Sequence, residues 1–406
     1  MTARFKKTPQ PPKGRKFGAK RHGKRPVGSN QFYSTKKVQS EIDEVTGAYE
    51  KFDWDNATDF EELPLSNRTK QGLQNSGFTT MTEIQQQAIE LALKGLDVLG
   101  AAKTGSGKTL AFLIPLLECL WKKQWSAPDG LGALVISPTR ELALQIYEVL
   151  RKVGSRHDFS AGLIIGGTNM DFEKPLLHRT NILIATPGRL LQHLDESFSF
   201  TADNLQILVL DEADRILDLG FFEQLTNILD HLPVERQTLL FSATQNRSVK
   251  DLARLSLKDP AYVSVHEHAK HTTPDQLQQS YLICEEHEKL SFLWSFLRNH
   301  SRKKILVFLA SCKQVRYVHA VFRRLKLGAP LLSLHGGMHP KKRVSVFHRF
   351  SSNDTACLLA TDLAARGLDF PAVDWVVQLD CPCDVHEYIH RSGRTARYNP
   401  PAESHC

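Results

Sequence analysis

The 406-residue chain contains no apolar run near the ~18 residues that a membrane-spanning helix needs. Its N-terminus is basic with no apolar segment behind it, which does not fit a secretory signal. Cysteine is sparse and odd in number: Cys119, Cys284, Cys312, Cys357, Cys381, Cys383 and Cys406. Only Cys381 and Cys383 are close, and one intervening residue is too few for a zinc knuckle. The pattern predicts reduced thiols rather than a disulfide framework. Acid is absent from residues 1–40, which hold twelve Lys and Arg. That leaves 40 basic against 44 acidic residues in the rest. The net charge of +8 therefore belongs to the tail, and any nucleic-acid contact by the body depends on local placement of charge.

What is present begins with that tail. Residues 1–50 read as a disordered basic segment, with too few apolar residues in the first forty to bury a core. Two readings stand side by side: a solvated tail, or a nuclear address that also holds RNA phosphates. The runs Lys13-Gly14-Arg15-Lys16 and Lys20-Arg21-His22-Gly23-Lys24-Arg25 favour the second.

Beyond it, short apolar runs alternate with helical stretches. Strands are expected at Val98–Ala102, Ala133–Ser137, Gly162–Ile165, Ile182–Ala185, Ile207–Leu210 and Thr238–Phe241. After a patternless stretch they resume at Tyr281–Cys284, Ile305–Leu309, Leu331–Leu334, Leu358–Ala360 and Trp375–Leu379. This alternation predicts an α/β fold of two parallel sheets flanked by helices, with ligands at strand C-terminal ends. The expected boundaries are 51–265 for the first domain, 266–277 for a linker and 278–406 for the second.

The stretch Ala102-Lys103-Thr104-Gly105-Ser106-Gly107-Lys108-Thr109 follows a strand and opens a helix. Its spacing is that of a phosphate loop, with Ala102 where the first glycine is usual. Backbone N–H groups and a helix N-terminus would cradle phosphates, Lys108 would reach the β- and γ-phosphates, and Thr109 would ligate Mg²⁺. A second strand, Ile207–Leu210, ends in Asp211 and Glu212. Alone, two adjacent carboxylates are also an ordinary acidic turn. Beside a phosphate loop they suit a Mg²⁺-nucleotide site, Asp211 holding the metal shell largely through water and Glu212 orienting or deprotonating the attacking water.

Asp211-Glu212-Ala213-Asp214 spells the name of the DEAD-box RNA helicases, which the chain resembles from about Phe60 to Arg397. The resemblance implies two RecA-like domains, ATP and Mg²⁺ as cofactors, and RNA bound mainly through its backbone. Phe60 and the run Gly77–Gln85 resemble the Q motif, with Met81 where proline is common. There Gln85 would read the adenine edge, Phe60 would support it, and Phe78, Thr79 and Thr80 would line the same pocket. Pro138, Thr139 and Arg140, the doublet Gly166-Gly167, and Thr186-Pro187-Gly188-Arg189 resemble the RNA-facing motifs of the first domain. Ser242-Ala243-Thr244 resembles the motif that couples the nucleotide and RNA sites.

In the second domain, Val307–Ser311, Gly336 with Arg343, and Ala360–Asp369 resemble the family's motifs. The family assigns Thr361 and Gly367 to RNA and Asp369 to the ribose. His390–Arg397 would supply Arg394 and Arg397 as fingers on the γ-phosphate. Asp214-Arg215, Ala101-Ala102-Lys103 and the basic tail are most similar to nucleolar members acting on the small ribosomal subunit. That subgroup implies a monomeric nuclear protein with pre-ribosomal particles and small nucleolar RNP as partners and no membrane. Two prolines after Tyr398 are incompatible with the further strand and helix expected there, which reads as a truncated second domain. Two functions follow: an RNA-dependent ATPase that unwinds short duplexes or remodels RNP, or a nucleotide- and RNA-binding product with little turnover.

Overall fold

The computed structural model describes residues 29–102, 105–167, 170–197, 200–244, 247–265, 277–362, 370 and 373–395. Several expected features lie outside them. These are the basic segment through residue 28, linker residues 266–276, the end of the chain from residue 396, and the site residues Lys103, Thr104, Gly367, Asp369 and Arg397. The chain divides into a unit Met1–Glu44 and a unit Val45–Cys406. Where the sequence reading expects no structure up to residue 50, a helix, α1 (Ser29–Ala48), is formed. The basic run has ended there, and helix formers such as Lys36, Lys37, Gln39 and Glu41 follow. One turn apart, the Gln39 amide donates to Asp43 at 2.9 Å.

The first lobe opens with α2 (Asn67–Asn75) and α3 (Glu83–Leu93). Strands and helices then alternate: β1 (Val98–Ala101), α4 (Lys108–Lys122), β2 (Ala133–Ile136), α5 (Arg140–Val153), β3 (Ala161–Ile164) and α6 (Met170–Leu177). They continue as β4 (Ile182–Ala185), α7 (Pro187–Glu196), β5 (Ile207–Leu210), α8 (Ala213–Asp218), α9 (Phe222–Asp230), β6 (Gln237–Ser242), α10 (Arg247–Ser256) and β7 (Ala261–Ser264). The seven strands form one parallel sheet in the order β3-β4-β2-β5-β6-β1-β7.

The apolar runs are continuous because both faces are covered. In β2, Ala133 and Val135 join the core under α2 to α5, while Leu134 and Ile136 join the core under α6 to α10. β5 repeats the division with Ile207 and Val209 against Leu208 and Leu210. Strand β7 was not legible in the sequence, because at the sheet edge it is short and leaves Tyr262 half exposed.

The second lobe contains α11 (Lys289–Asn299), β8 (Lys304–Phe308), α12 (Cys312–Arg324), β9 (Leu331–Leu334), α13 (Pro340–Ser352), β10 (Ala356–Ala360), β11 (Trp375–Gln378) and α14 (Val385–Ser392). Its four strands are parallel in the order β11-β8-β10-β9. Again the strand residues split between two cores: Leu306 and Phe308 meet α13, and Ile305 and Val307 meet α11 and α12. The strand expected at Tyr281–Cys284 is instead exposed coil, pairing with no strand among the described residues. Apolar side chains alone do not make a strand where no neighbour takes its hydrogen bonds.

These are two RecA-like lobes, and their strand order sorts the motifs. β5, β6 and β1 are adjacent, so the loops bearing Asp211-Glu212, Ser242-Ala243-Thr244 and Gly105–Lys108 emerge side by side. β3, β4 and β2 are adjacent too, which groups Gly166-Gly167, Thr186–Arg189 and Pro138–Arg140 along the same carboxyl edge.

Candidate active site

The phosphate loop curls because Gly105 and Gly107 adopt φ of 83° and 92°, a region unfavourable to side chains. At Gly107 a Cβ would also come within 2.5 Å of the Gln85 amide nitrogen. Ala102 N–H donates to the Ser242 carbonyl at 3.0 Å, tying the loop's start to β6. Lys108 opens α4, is buried, and donates to the Ala102 carbonyl at 3.0 Å across the loop. Ser106 and Thr109 are half buried on the same turn.

Gln85 is buried and already engaged on both ends of its amide. Its Nε2 donates to Gly107 O at 2.8 Å, and its Oε1 accepts from Thr82 N at 2.7 Å, closing the N-cap of α3. It therefore holds the phosphate loop to the start of α3. The Phe60 ring sits in the core at 2% exposure. Its N–H donates to Thr79 O at 2.8 Å, and a bridge joins Asp59 to Thr80. A cavity of about 110 Å³ lies beside this strip, lined by residues that include Phe60, Lys70, Phe78 and Thr79.

Asp211 and Glu212 are both buried at the end of β5. Burial raises the pKa of each carboxyl above the ordinary range, and Lys108 opposes the shift in both. Glu212 has φ of 49°, the left-handed region in which non-glycine residues are strained. Its Oε2 is buried with no hydrogen-bond partner. The donor set of Thr109 and Asp211 is hard oxygen, so it fits Mg²⁺ held by few protein ligands and by phosphate oxygens. Asp214 accepts from the Thr244 hydroxyl at 3.2 Å, and the Ser242 hydroxyl donates to Thr244 O at 2.7 Å. The acidic box and the coupling motif are thereby joined.

Arg394 comes from the other lobe, after α14. It is buried, its Nε donates to His390 O at 3.1 Å, and burial lowers its pKa to about 10 against an opposing effect of Glu212. Arg394 in turn lowers the Glu212 pKa. Lys108, Asp211 and Glu212 thus act on one another within the first lobe, and Arg394 of the second is near enough to influence Glu212. Sequence reasoning did not find what supports Arg394. Three residues before it, Arg391 forks onto Asp362 at 2.5 and 2.9 Å, donates to Asp380 O at 2.8 Å and stacks over Phe308. Asp362 sits beside Thr361 after β10, so the pair locks α14 onto the second sheet.

Along the edge expected to face RNA, Pro138 follows β2 and Thr139 caps α5, accepting from Leu142 N at 3.3 Å. Arg140 lies against Gly166, where a Cβ would come 2.9 Å from the guanidinium. Gly167, beside it, has φ of 94°. Thr186 and Pro187 start α7, followed by Gly188 and Arg189. In the second lobe Gly336 follows β9 with open space about it, and Thr361 N donates to Leu334 O at 3.3 Å.

Two arginines expected to meet phosphate are paired with carboxylates here. Arg189 donates to Glu173, and Arg343 donates twice to Glu141, at 2.7 and 2.5 Å. The second pair crosses between lobes, from α13 to α5, and is nearly solvent-free. His348 and Glu148 approach at 3.8 Å on the same two helices. The sequence carried a signal only in retrospect: Glu141 and Glu148 are seven residues apart, on one face of α5.

Residues 82–252 match the family described as DEAD/DEAH box helicase, and residues 288–399 match the helicase conserved C-terminal domain. A solved chain, DEAD-box helicase Mss116 bound to ssRNA and UDP-BeF, is 31% identical with a TM-score of 0.76. The match covers 83% of this chain and 72% of that one. The chain belongs to the DEAD-box RNA helicases. Saccharomyces cerevisiae Dbp5 bound to RNA and ADP BeF3 is 26% identical, with a TM-score of 0.75 over 84% of this chain and 87% of that one. Among curated relatives, the probable ATP-dependent RNA helicase DDX10 of Mus musculus is 60% identical over 88% of this chain and 41% of its own length. The ATP-dependent RNA helicase dbp4 of Aspergillus niger is 57% identical over 93% and 47%. This DEAD-box chain spans less than half the length of those curated relatives. Among the described residues no helix is long and apolar enough to cross a membrane.

Proposed function

We propose that the chain hydrolyses ATP in response to RNA and couples turnover to local duplex unwinding or RNP remodelling. The observation that carries this reading is the buried set Lys108, Asp211 and Glu212 at adjacent strand ends of the first sheet, with the buried Arg394 of the other lobe near enough to act on the charge of Glu212. Each lobe alone holds half a site. Lys108 and the loop N–H groups hold phosphates, Thr109 and Asp211 hold Mg²⁺, which when bound supplies charge neutralisation, and Gln85 faces the base. Glu212 orients the attacking water and takes its proton. Arg394 and Arg397 place positive charge where negative charge grows in the transition state.

Pro138–Arg140, Gly166-Gly167, Thr186–Arg189, Gly336, Arg343, Thr361 and Gly367 bind phosphates and 2′-OH groups, reading shape rather than bases. Closure joins the two RNA surfaces, so binding energy favours a bent single strand over a straight duplex. The likeness to chains described as bound to RNA and nucleotide analogues supports this arrangement. The Asp214-Arg215 sequence and the basic tail support a place in the nucleolus, in ribosome biogenesis on pre-ribosomal particles and small nucleolar RNP, and kinship with relatives named ATP-dependent RNA helicases is in keeping with it; the chain is read as a monomer.

ATPase assays with and without RNA, beside Glu212→Gln, test the activity. RNA-stimulated turnover well above that control is expected. Turnover no higher than the control would leave only a nucleotide- and RNA-binding chain.

A further inference from the structure

Arg189 does not stand alone at the RNA-facing edge. Its Nε donates to Glu173 Oε2 at 2.9 Å, and its Nη1 donates to Gln192 Oε1 at 3.0 Å. The same Glu173 oxygen accepts from His193 Nε2 at 2.7 Å, and His193 Nδ1 meets Ser197 Oγ at 3.3 Å. Gln192 and His193 lie on α7 and Ser197 is its C-cap, while Glu173 comes from α6. The His193 side chain has no exposure, Arg189 has 8% and Glu173 has 12%.

Two roles are open to a carboxylate on an RNA-binding arginine. It could stand in for a phosphate and leave when RNA arrives, or it could stay and fix the guanidinium. His193 decides between them. A carboxylate that merely stood in for phosphate would need only the arginine. Here Glu173 is anchored to α7 by a fully buried ring that does not depend on Arg189. Moving Glu173 away would leave the buried His193 N–H without an acceptor, a cost of about 1–3 kcal/mol. The carboxylate therefore stays. Arg has five N–H donors in a rigid fork, so gripping Nε and one Nη1 donor fixes the orientation of the whole group.

We propose that Glu173, anchored by His193, is a positioning residue that presets Arg189 for an RNA phosphate. The benefit is preorganisation: a long side chain ordered before binding loses less entropy on binding. This inference rests on the RNA-binding reading of the α6–α7 edge. It adds to that reading a residue outside the family motifs and an energetic reason for it.

The test is RNA binding by the full chain, read by anisotropy of a labelled single-stranded RNA with a non-hydrolysable ATP analogue, together with RNA titration of ATPase. Glu173→Ala is expected to raise both the dissociation constant and the half-saturating RNA by about fivefold. Turnover at saturating RNA should stay within about twofold, because Glu173 touches neither nucleotide nor water. Glu173→Gln keeps the shape and one acceptor and should fall between, which also covers poor folding of the alanine variant. On an Arg189→Ala background, Glu173→Ala should add almost nothing. Equal or tighter RNA binding by Glu173→Ala would overturn the proposal. So would the same fivefold loss on the Arg189→Ala background, since that marks a structural effect. If the wild type binds RNA with this pattern yet shows no turnover, the ATPase reading fails and this one stands. If the wild type binds no RNA, both fall.

Discussion

Glu212 sits at φ of 49° with one buried oxygen unpaired, two local costs at a single residue. Such strain persists only where the surroundings impose it, and here they do. Asp211 N is held by Ile136 O at 3.0 Å, and Arg215 N donates both to Glu212 O and to the side chain of Asp214. The opposing residue, Arg394, is as buried as Glu212, with its pKa lowered by burial and raised by Glu212. Removing the guanidinium should leave the first lobe's grip on ATP intact and remove charge from the transition state. Arg394→Ala is expected to lower RNA-stimulated turnover by about 10³-fold or more, with little change in nucleotide affinity measured by fluorescent-analogue binding. A comparable loss of nucleotide affinity would show that Arg394 serves binding rather than catalysis.

At the scale of elements, a buried polar knot joins α2, α4 and the turn after α5. Glu118 of α4 accepts from Ser66 N, Ser66 Oγ and Thr69 Oγ1 at 3.0, 2.6 and 2.5 Å. Since the Thr69 proton goes to Glu118, His157 must donate its Nε2–H to Thr69, at 2.9 Å. His157 Nδ1 is then a bare acceptor, and it is buried without a partner. Burial lowers the His157 pKa from 6.5 to about 4. Between those values the unfolded chain binds the proton and the folded chain does not. Stability is therefore full above pH 6.5 and falls as pH drops toward 4, by up to about 1.4 kcal/mol per unit. His157→Gln should show a smaller fall in melting temperature from pH 7 to pH 5 than the wild type. An identical fall would remove His157 from the account.

The same scale holds the α5–α13 pair. Arg343→Ala leaves Glu141 buried and unpaired at the lobe boundary, where breaking such a pair costs about 3–5 kcal/mol. The loss should appear as a shift toward the open state in a fluorescence-transfer pair with one dye on each lobe, measured with nucleotide and without RNA because Arg343 is also assigned to an RNA phosphate. Unchanged transfer would mean the pair is incidental to closure.

Elements were legible where chemistry and periodicity coincide. The phosphate loop, the acidic box and the strand ends that bear RNA motifs combine distinctive residue types with strand-then-helix context. Contacts between distant elements were not legible. Nothing in the sequence near Glu173 or Glu141 says that an arginine 16 or 202 residues away will reach it. Strand β7 and the coil at Tyr281–Cys284 failed for a related reason, since strand formation depends on a neighbour that a single segment does not specify. Helix α1 was missed because the lysine-rich stretch before it set the expectation for the residues that follow.

For the molecule as a whole, one sheet order places three nucleotide-facing loops together and three RNA-facing loops beside them. The second sheet then supplies Arg394 on the nucleotide side and Arg343 on the RNA side. On the proposed reading neither lobe contains a full site, so hydrolysis and RNA grip would share one closure. A structure of the chain with single-stranded RNA, Mg²⁺ and a beryllium fluoride nucleotide tests this most directly. The expected result has Lys108 and Arg394 both within hydrogen-bond distance of the same phosphate mimic. Density showing the nucleotide held by the first lobe alone, with Arg394 turned away from it, would contradict the account.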